Sequence, residues 1–468
     1  MMVNQDLLIK IHANLLRDGG ELADIFHEWR EDFRLTLSSE RGLLPSYGTM
    51  EGAALRLIKD GRCSNIHLEL PEEKDLIEAS NSIREYASAR TGSISLGSDP
   101  EKKKSGDAGG EGSNDAGVRS EKAMELAARI HPIVLMAESL LRENFEDCFS
   151  YMISASFYRQ QVRIISYRGE FVEDSRKAAL FRMSVLARSG DDRIFSEASE
   201  SFSAPESLIE RIDPGRLCQN LKEKWLNKKD SINAPQGQTP LVLAPGAGGV
   251  LIHEAAGHLF EADNPLVASR FDKFHGQDFG EHLSIHDDPA CMERGNYRFD
   301  DEGMEGKKKS IIDRGRFLNL LHSLTTSRKR NEEPSGNGRR QSFRETPLPR
   351  MSAIYVDPGK MDPESILKRT RKGIYGKRFG DAYLDGSSGK FCIHLTEGYT
   401  IENGKTVSPI KRALVYGNAV DILRSIDLIG SDLTFDITGL VCTKGGQALP
   451  TTVGTPTIRI ASVQLYPA

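Results

Sequence analysis

Residues 240–263 read PLVLAPGAGGVLIHEAAGHLFEAD, and this stretch does most to decide the fold of the chain. The pattern predicts a short apolar strand, a glycine-rich turn and a helix rich in alanine and leucine. The predicted helix carries His253, Glu254 and His258. Two imidazoles and a carboxylate on one helix are the groups of a catalytic zinc site, where the metal acidifies a water molecule and the carboxylate takes its proton.

The spacing of the two histidines requires a distorted helix. They stand at i and i+5, about 140° apart on an ideal helix, whereas the histidines of an HExxH motif are about 40° apart. A π-bulge would reduce the angle, and such bulges are common at functional sites. Gly257, directly before His258, lowers the steric cost of the distortion. The alternative is a surface helix with two hydrogen-bonded histidines and a solvated glutamate.

A second segment offers a third ligand. Catalytic zinc usually has three protein ligands and one water, so two histidines leave the site incomplete. Cys442 lies in GLVCTKGGQALPTTVGTPTIRI, residues 439–460, where glycines surround the cysteine before a predicted terminal strand. A thiolate on such a loop can approach a metal, which a cysteine buried in the core cannot.

Composition limits the classes of function for this chain of 468 residues. The 62 Lys and Arg against 67 Asp and Glu give a net charge of −5, which argues against nucleic acid or an anionic membrane as a partner. The sequence contains no apolar run near the length of about 18 residues that spans a bilayer, and its N-terminus lacks the apolar core of a signal peptide. The six cysteines form no CxxC pair, so we expect reduced thiols and a cytoplasmic protein.

The pattern of predicted elements changes near residue 235. Before this point, helices alternate with strands, and the first amphipathic helix is predicted over residues 5–29. A flexible insertion is predicted at about 97–119, because residues 99–117 contain no apolar side chain larger than alanine.

After residue 235, β-like runs are separated by turn sequences such as ENGK at 402–405. We therefore expect an α+β protein of two domains. Residues 1–235 would form an α/β N-terminal domain, and residues 236–468 a β-rich, largely antiparallel C-terminal domain with one metal-binding helix.

Several segments together resemble the TldD/PmbA family of zinc peptidases, whose members have also been called modulators of DNA gyrase. Besides the histidine motif, they are DDEGMEG at 300–306, GNGRRQSFRETPLPRMS at 336–352, SGKF at 388–391, EGYTIENGK at 397–405 and GGQALPTTVGTPTIRI at 445–460. The likeness covers roughly residues 240–468 and is weaker over 30–230. The predicted insertion is not part of the family pattern.

The resemblance implies the family's two-domain fold and its zinc chemistry. His253, His258 and Cys442 would hold Zn2+, and Glu254 would act as general base on a zinc-bound water. The chain keeps the whole histidine motif and so resembles the metal-bearing TldD-type subunit. Such a subunit forms a dimer, with itself or with a PmbA/TldE-type partner that lacks the motif. Family substrates are unfolded polypeptides or peptide precursors, including modified peptide natural products and antitoxins.

Four residues are candidate substrate contacts. Gly248 and Gly249, in the turn after the strand at 241–244, are candidates for binding an extended peptide by strand addition, with a simple turn into the helix as the alternative. Arg339 and Arg340 are candidates for gripping a peptide carboxylate, with a basic surface loop as the alternative.

Two other functions remain open from the sequence. One is an amidase or hydrolase that acts on a small peptide-like metabolite in a biosynthetic pathway. The other is a non-catalytic regulatory protein whose metal has a fourth protein ligand and no open position. The shape of the pocket separates the two enzymes, because an open channel favours peptides and a small sealed cavity favours metabolites.

Overall fold

A computed structural model describes residues 3–89, 113–145, 147–267, 279–291 and 294–468. Most of the predicted insertion at 97–119 lies outside these ranges. Residues 113–119 belong to a helix, and the flexible insertion stays a prediction. No helix in the described part of the chain is long and apolar enough to cross a membrane.

A six-stranded antiparallel sheet forms the centre of the N-terminal half. Its strands are β1 (Leu22–Ser38), β2 (Gly42–Lys59), β3 (Arg62–Glu69), β4 (Cys148–Ile165), β5 (Phe171–Ser189) and β6 (Asp192–Phe202), in the order β3-β2-β1-β4-β5-β6. The helices of this half are α1 (Gln5–Leu15), α2 (Glu73–Ala89), α3 (Ser113–Asn144), α4 (Pro205–Arg211) and α5 (Pro214–Lys229). They pack on the face of the sheet that carries Ile25, Leu35 and Phe181.

The predicted helix over residues 5–29 is wrong in its second half. Helix α1 ends at Leu15, and Asp18 and Gly19 have positive φ angles of 60° and 85°. Strand β1 then begins at Leu22, and residues 22–29 are buried on both faces. A strand buried on both faces has no period-2 pattern, so its apolar residues can also fit a helical spacing.

The C-terminal half contains two larger sheets and two short hairpins. Its strands are β7 (Gly237–Leu243), β8 (Ile285–Asp287), β9 (Lys309–Asp313), β10 (Arg316–Phe317), β11 (Gly338–Arg339), β12 (Leu348–Pro349), β13 (Ala353–Val356), β14 (Lys372–Leu384), β15 (Lys390–Glu402), β16 (Lys405–Ile410), β17 (Ala413–Asn418), β18 (Ile426–Ile429), β19 (Thr434–Phe435), β20 (Val441–Lys444), β21 (Gln447–Pro450), β22 (Thr452–Thr455) and β23 (Ile458–Pro467). Its helices are α6 (Gly249–Ile252), α7 (Leu324–Arg330), α8 (Pro363–Arg369) and α9 (Ala419–Arg424).

Five strands of one sheet close into a ring. The order is β14-β7-β23-β17-β15, and β15 pairs back to β14. The other large sheet has the order β10-β9-β8-β13-β22-β19. Only the β14–β7 and β13–β22 pairs are parallel among the described strands, which confirms the predicted α+β fold with a largely antiparallel C-terminal part.

The short helix α6 lies in the main core of the C-terminal half. Leu251 and Ile252 are buried in one apolar cluster with Leu241 of β7, Ile354 of β13 and Val453 of β22. The helix therefore rests on strands from both large sheets, which fixes the direction of the residues that follow it.

The two halves meet over the second face of the N-terminal sheet. Phe343, from the C-terminal half, packs with Phe26 and Ile164. Beside this apolar contact, Arg56 is buried between Asp24, at 2.5 Å, and Glu302, at 2.7 Å. A buried arginine that bridges carboxylates from both halves fixes their contact in one arrangement.

Candidate metal centre

Helix α6 continues into a single π-helical turn, His253–Gly257. The backbone N–H of His258 donates to the carbonyl of His253 at 3.1 Å, which is an i to i+5 bond. The rings of the two histidines lie 5.0 Å apart, nearly perpendicular to each other. The structure therefore confirms the π-bulge that the spacing predicts.

Glycines let the backbone of this region pack closely. A Cβ on Gly257 would lie 1.8 Å from Sδ of Met351. The π-turn therefore requires glycine at position 257, because the Met351 side chain packs directly against it. At the start of the helix, a Cβ on Gly248 would lie 2.2 Å from the carbonyl oxygen of Ala244.

Cys442 reaches the histidines from the hairpin formed by β20 and β21. Its Sγ lies 3.3 Å from Nε2 of His258. One potential ligand atom from each of His253, His258 and Cys442 lies within 4.8 Å of the other two. Cys442 is 7% exposed and His253 is 3% exposed, whereas His258 is half-buried.

The donor set of this cluster fits a zinc ion. Two imidazole nitrogens and one sulfur are the ligand types that zinc prefers. Nδ1 of His253 is buried and has no hydrogen-bond partner in the described structure, which is costly unless a ligand or water supplies one. The described residues add no fourth protein ligand to the cluster, so one coordination position would stay open.

The electrostatics of the cluster favour a thiolate. Burial raises the pKa of the Cys442 thiol, but His253 and His258 outweigh this effect and lower the pKa to about 5. Burial alone would lower the pKa of His258, but Glu261 and Cys442 outweigh it and raise that pKa well above its usual value. The thiolate is the form of cysteine that binds a metal.

The buried carboxylate of Glu261 contacts the ring nitrogen of His258 that faces away from Cys442. Nδ1 of His258 lies 2.8 Å from Oε2 of Glu261, which leaves Nε2 facing Cys442. Lys444 donates to the same oxygen at 2.8 Å and to Asp263 at 2.5 Å. Burial raises the pKa of Glu261, but Lys444 and His258 outweigh this and hold the pKa well below its usual range. Carboxylates in this position orient ligating histidines in metal sites.

Arginines fix the hairpin that carries Cys442. The Arg350 guanidinium, 1% exposed, donates to the carbonyl of Cys442 at 2.6 Å and to that of Gln447 at 3.1 Å. Arg294 donates to the carbonyls of Gly439 and Leu440 at 3.3 and 3.4 Å. The backbone on both sides of the thiolate is thereby held.

Glu254 lines an open cleft of about 600 Å³ together with the three cluster residues. The segment Phe379–Leu384 of β14 also lines the cleft. Glu254 is half-buried, and its carboxylate has no hydrogen bond or ion pair with the residues that the structure describes. The side chain is thus available to a bound molecule.

The structure does not bring the candidate substrate residues to this cleft. Gly248 and Gly249 are buried, and β7 is paired on both edges, so strand addition at residues 241–244 is wrong. Arg339 and Arg340 are also buried. Arg339 pairs with Asp301 at 3.2 Å, and Arg340 donates to the carbonyl of Asp301 at 3.2 Å. Their interpretation as a grip for a peptide carboxylate is therefore wrong, because both guanidiniums are already held by Asp301, and Arg340 also lies 3.6 Å from Asp24 of the N-terminal half.

Sequence reasoning missed three residues around the metal centre: Glu261, Lys444 and Arg350. Glu261 is three residues after His258, a spacing that places side chains on one helical face. Lys444 is two residues after Cys442, a spacing that places both on one face of a strand. Arg350 has no comparable local signal, since its contact with Cys442 depends on tertiary structure.

The fold and the buried His-His-Cys cluster beside a glutamate define a protein with the groups of a metallopeptidase. Residues 236–466 match the sequence pattern of the PmbA/TldA metallopeptidase C-terminal domain. A metalloprotease of Synechocystis sp. is 34% identical over 332 residues, which cover 69% of this chain and 70% of that protein. The chain belongs to the TldD/PmbA family.

Other relatives match over different lengths. A metalloprotease TldD homologue of Buchnera aphidicola is 31% identical over 316 residues, and the match spans 65% of each chain. A zinc metalloprotease TldD homologue of Saccharolobus solfataricus is 26% identical over 457 residues, or 96% of this chain and 97% of that one.

Solved structures share the fold. TldE from Thermococcus kodakarensis has a TM-score of 0.71 at 16% identity and covers 98% of this chain and 99% of its own. A candidate modulator of DNA gyrase from Bacteroides thetaiotaomicron has a TM-score of 0.71 at 17% identity, with 99% of both chains covered. At such identities the likeness extends to the fold alone.

Proposed function

We propose that this protein is a zinc-dependent peptidase that hydrolyses unfolded polypeptides or peptide precursors. The observation that carries the proposal is the meeting of His253, His258 and Cys442, from two distant segments, with their donor atoms within 4.8 Å of one another. The names of the relatives agree, since several are called metalloproteases and one a zinc metalloprotease.

Each side chain has a separate task in this proposal. When bound, zinc would polarise the scissile carbonyl and make water more acidic. Glu254 accepts a proton from the attacking water and passes it to the leaving amine. Glu261 keeps His258 in the ring orientation that turns Nε2 towards the cluster.

The shape of the cleft supports an extended peptide as substrate. Over Phe379–Leu384, β14 pairs only with β15 among the described strands, and this segment lines the cleft. A peptide in extended conformation can add to an unpaired strand edge through backbone hydrogen bonds, which do not depend on its sequence. The open cleft favours this substrate over a small metabolite, and the open coordination position favours catalysis over a purely regulatory metal.

We also propose that the active form is a dimer, either of two copies or with a PmbA/TldE-type partner. The likeness of the fold to TldE supports a common architecture for the two kinds of subunit. Light scattering of the purified chain, alone and co-purified with such a partner, should give the mass of two subunits. A monomer in both preparations contradicts the proposed dimer.

Peptide digestion tests the function directly. The purified protein, alone and with the partner, is incubated with a reduced, alkylated polypeptide, and the products are read by mass spectrometry. We expect new peptides that disappear with a zinc chelator and return when zinc is added back. Cleavage that persists after chelation, with no zinc left by elemental analysis, would exclude a zinc-dependent mechanism.

A further inference from the structure

The segment just before the β20–β21 hairpin lies against strands β5 and β6 of the N-terminal sheet. The carbonyl of Thr438 accepts a hydrogen bond from Ser199 of β6 at 2.8 Å. A Cβ on Gly439 would lie 2.5 Å from Leu180 of β5. We call the cleft lined by Glu254 and the His-His-Cys cluster the metal cleft. Val441, which is 49% exposed, lines both this cleft and a second groove. The two spaces therefore adjoin at the residue next to Cys442.

This second groove, of about 810 Å³, is lined by arginines. We call it the arginine groove and define it by Arg34, Arg182 and Arg294. Arg30 and Asp32 also line it, but they form a two-pronged ion pair at 2.7 and 2.8 Å and so cancel each other. The described lining therefore has an excess of three positive charges, and Glu197, outside the lining, forms an ion pair with Arg182 at 3.7 Å.

Each of two of these arginines has one buried hydrogen-bond donor without an acceptor. Nε of Arg182 and Nε of Arg294 are buried and have no hydrogen-bond partner within the described residues. The carboxylate of Glu197 lies 3.7 Å from Arg182, too far for a hydrogen bond. Among the described residues, the Arg294 side chain donates to backbone carbonyls alone, and its pKa is lowered by burial and by the charge of Arg182. A bound anion would stabilise Arg182 and Arg294, because it supplies a negative charge and hydrogen-bond acceptors for their Nε donors.

We propose that the arginine groove binds carboxylates of the polypeptide that occupies the metal cleft, so that acidic segments next to the scissile bond are preferred. This inference rests on the proposed peptidase function. An extended chain advances about 3.3 Å per residue, so a segment that passes over Val441 brings its next few side chains into the groove. Three arginines suit a few carboxylates better than a nucleic acid, which is usually bound by many phosphate contacts.

Binding of fluorescent peptides to the zinc-loaded Glu254→Gln protein tests the inference without turnover. The peptides share a neutral core and end in four Glu with an amidated C-terminus, four Gln with a free C-terminus, or four Gln with an amidated C-terminus. We expect the Glu peptide to bind about tenfold or more tightly than the amidated Gln peptide, as charge-assisted hydrogen bonds imply. If the Gln peptide with a free C-terminus binds more tightly than the Glu peptide, the groove recognises a terminal carboxylate, and the proposed preference for acidic side chains is wrong.

Arginine variants locate the site. In Arg182→Gln and in Arg34→Gln, the affinity ratio of Glu to Gln peptide should fall towards one. Arg188→Gln is the matched control, because Arg188 is an exposed arginine on the same strand β5 but does not line the groove. Thermal melting of each variant checks that it is folded.

Three other results would overturn the inference. The first is equal affinity for the Glu and the amidated Gln peptide. The second is a loss of this preference in Arg188→Gln as large as in Arg182→Gln. The third is stronger competition for the bound Glu peptide by a single-stranded oligonucleotide than by unlabelled Glu peptide. The test is also separable from the peptidase proposal. If digestion fails but Arg182-dependent binding of acidic peptides is observed, the carboxylate site stands and the peptidase assignment fails.

Discussion

At the scale of single residues, the two glutamates near the metal centre have different surroundings. Glu254 is half-buried and lines the cleft, whereas Glu261 is buried behind His258. Replacing Glu254 with Gln removes the base but none of the proposed ligands. We expect Glu254→Gln to keep its zinc and to lose about 100- to 10,000-fold in kcat, measured by elemental analysis and peptide digestion. An unchanged kcat would rule out Glu254 as the base.

Glu261→Gln should have the opposite profile. The substitution weakens the acceptor that orients His258 and leaves Lys444 with Asp263 as its only carboxylate partner among the described residues. We expect zinc affinity to fall about 10- to 100-fold, measured by competition with a chromophoric chelator. Glu254→Gln is the matched control, since it is the same substitution in the same segment. Equal zinc affinity in both variants contradicts the orienting role.

The sequence predicts the residues of the motif better than the residues that support it. The proximity of His253 and His258 follows from one local distortion, which their spacing requires. The contacts of Glu261 with Lys444 and of Arg350 with Cys442 join segments that are distant in the chain. No local pattern encodes such contacts, although the spacing of Glu261 from His258 was a usable signal.

At the scale of elements, the π-turn depends on its packing against Met351. A Cβ on Gly257 would meet Sδ of Met351 at 1.8 Å, so Gly257→Ala should destabilise the protein by about 1–3 kcal/mol and weaken zinc binding. Urea unfolding and zinc titration measure the two effects. The double variant Gly257→Ala/Met351→Ala should recover part of the zinc affinity, because the smaller side chain leaves room. Purely additive losses would show that the contact does not restrict the turn.

The sequence predicts strands well where one face of the strand is buried and poorly where both faces are buried. The antiparallel strands of the C-terminal half follow from alternation and turn residues. The sequence predicts a helix at the start of β1 because this part of the strand is buried on both faces, so its apolar residues do not alternate. The predicted turn at residues 246–249 is confirmed, but Gly248 fits a close contact with the carbonyl of Ala244 rather than a peptide, and such a contact is not encoded by spacing.

At the scale of the whole molecule, buried ion pairs join the two halves. Arg56→Met would leave Asp24 and Glu302 buried without their shared cation. We expect a loss of about 3–5 kcal/mol in the free energy of unfolding, measured with urea. Lys368→Met, which removes an exposed pair with Glu364, should change stability by only about 0.5 kcal/mol. A similar small loss for Arg56→Met would contradict the importance of the buried network.

Long-range contacts explain why the sequence does not predict the roles of Arg339 and Arg340. A basic dipeptide between glycine and polar residues is typical of an exposed loop. Here both guanidiniums are buried, and they also stack on Tyr297 and Phe26. Asp301, their common partner, is almost 40 residues earlier in the chain, and Asp24, which lies 3.6 Å from Arg340, belongs to the other half. The division of the chain at residue 235 stays a prediction.

X-ray absorption at the zinc edge of the purified protein tests the central claim most directly. We predict one zinc per chain with one sulfur neighbour at about 2.3 Å and nitrogen or oxygen neighbours at about 2.0–2.1 Å. In Cys442→Ser the sulfur signal should disappear. A zinc spectrum without sulfur, or one that the substitution leaves unchanged, would contradict a metal site built from the π-turn and the β20–β21 hairpin.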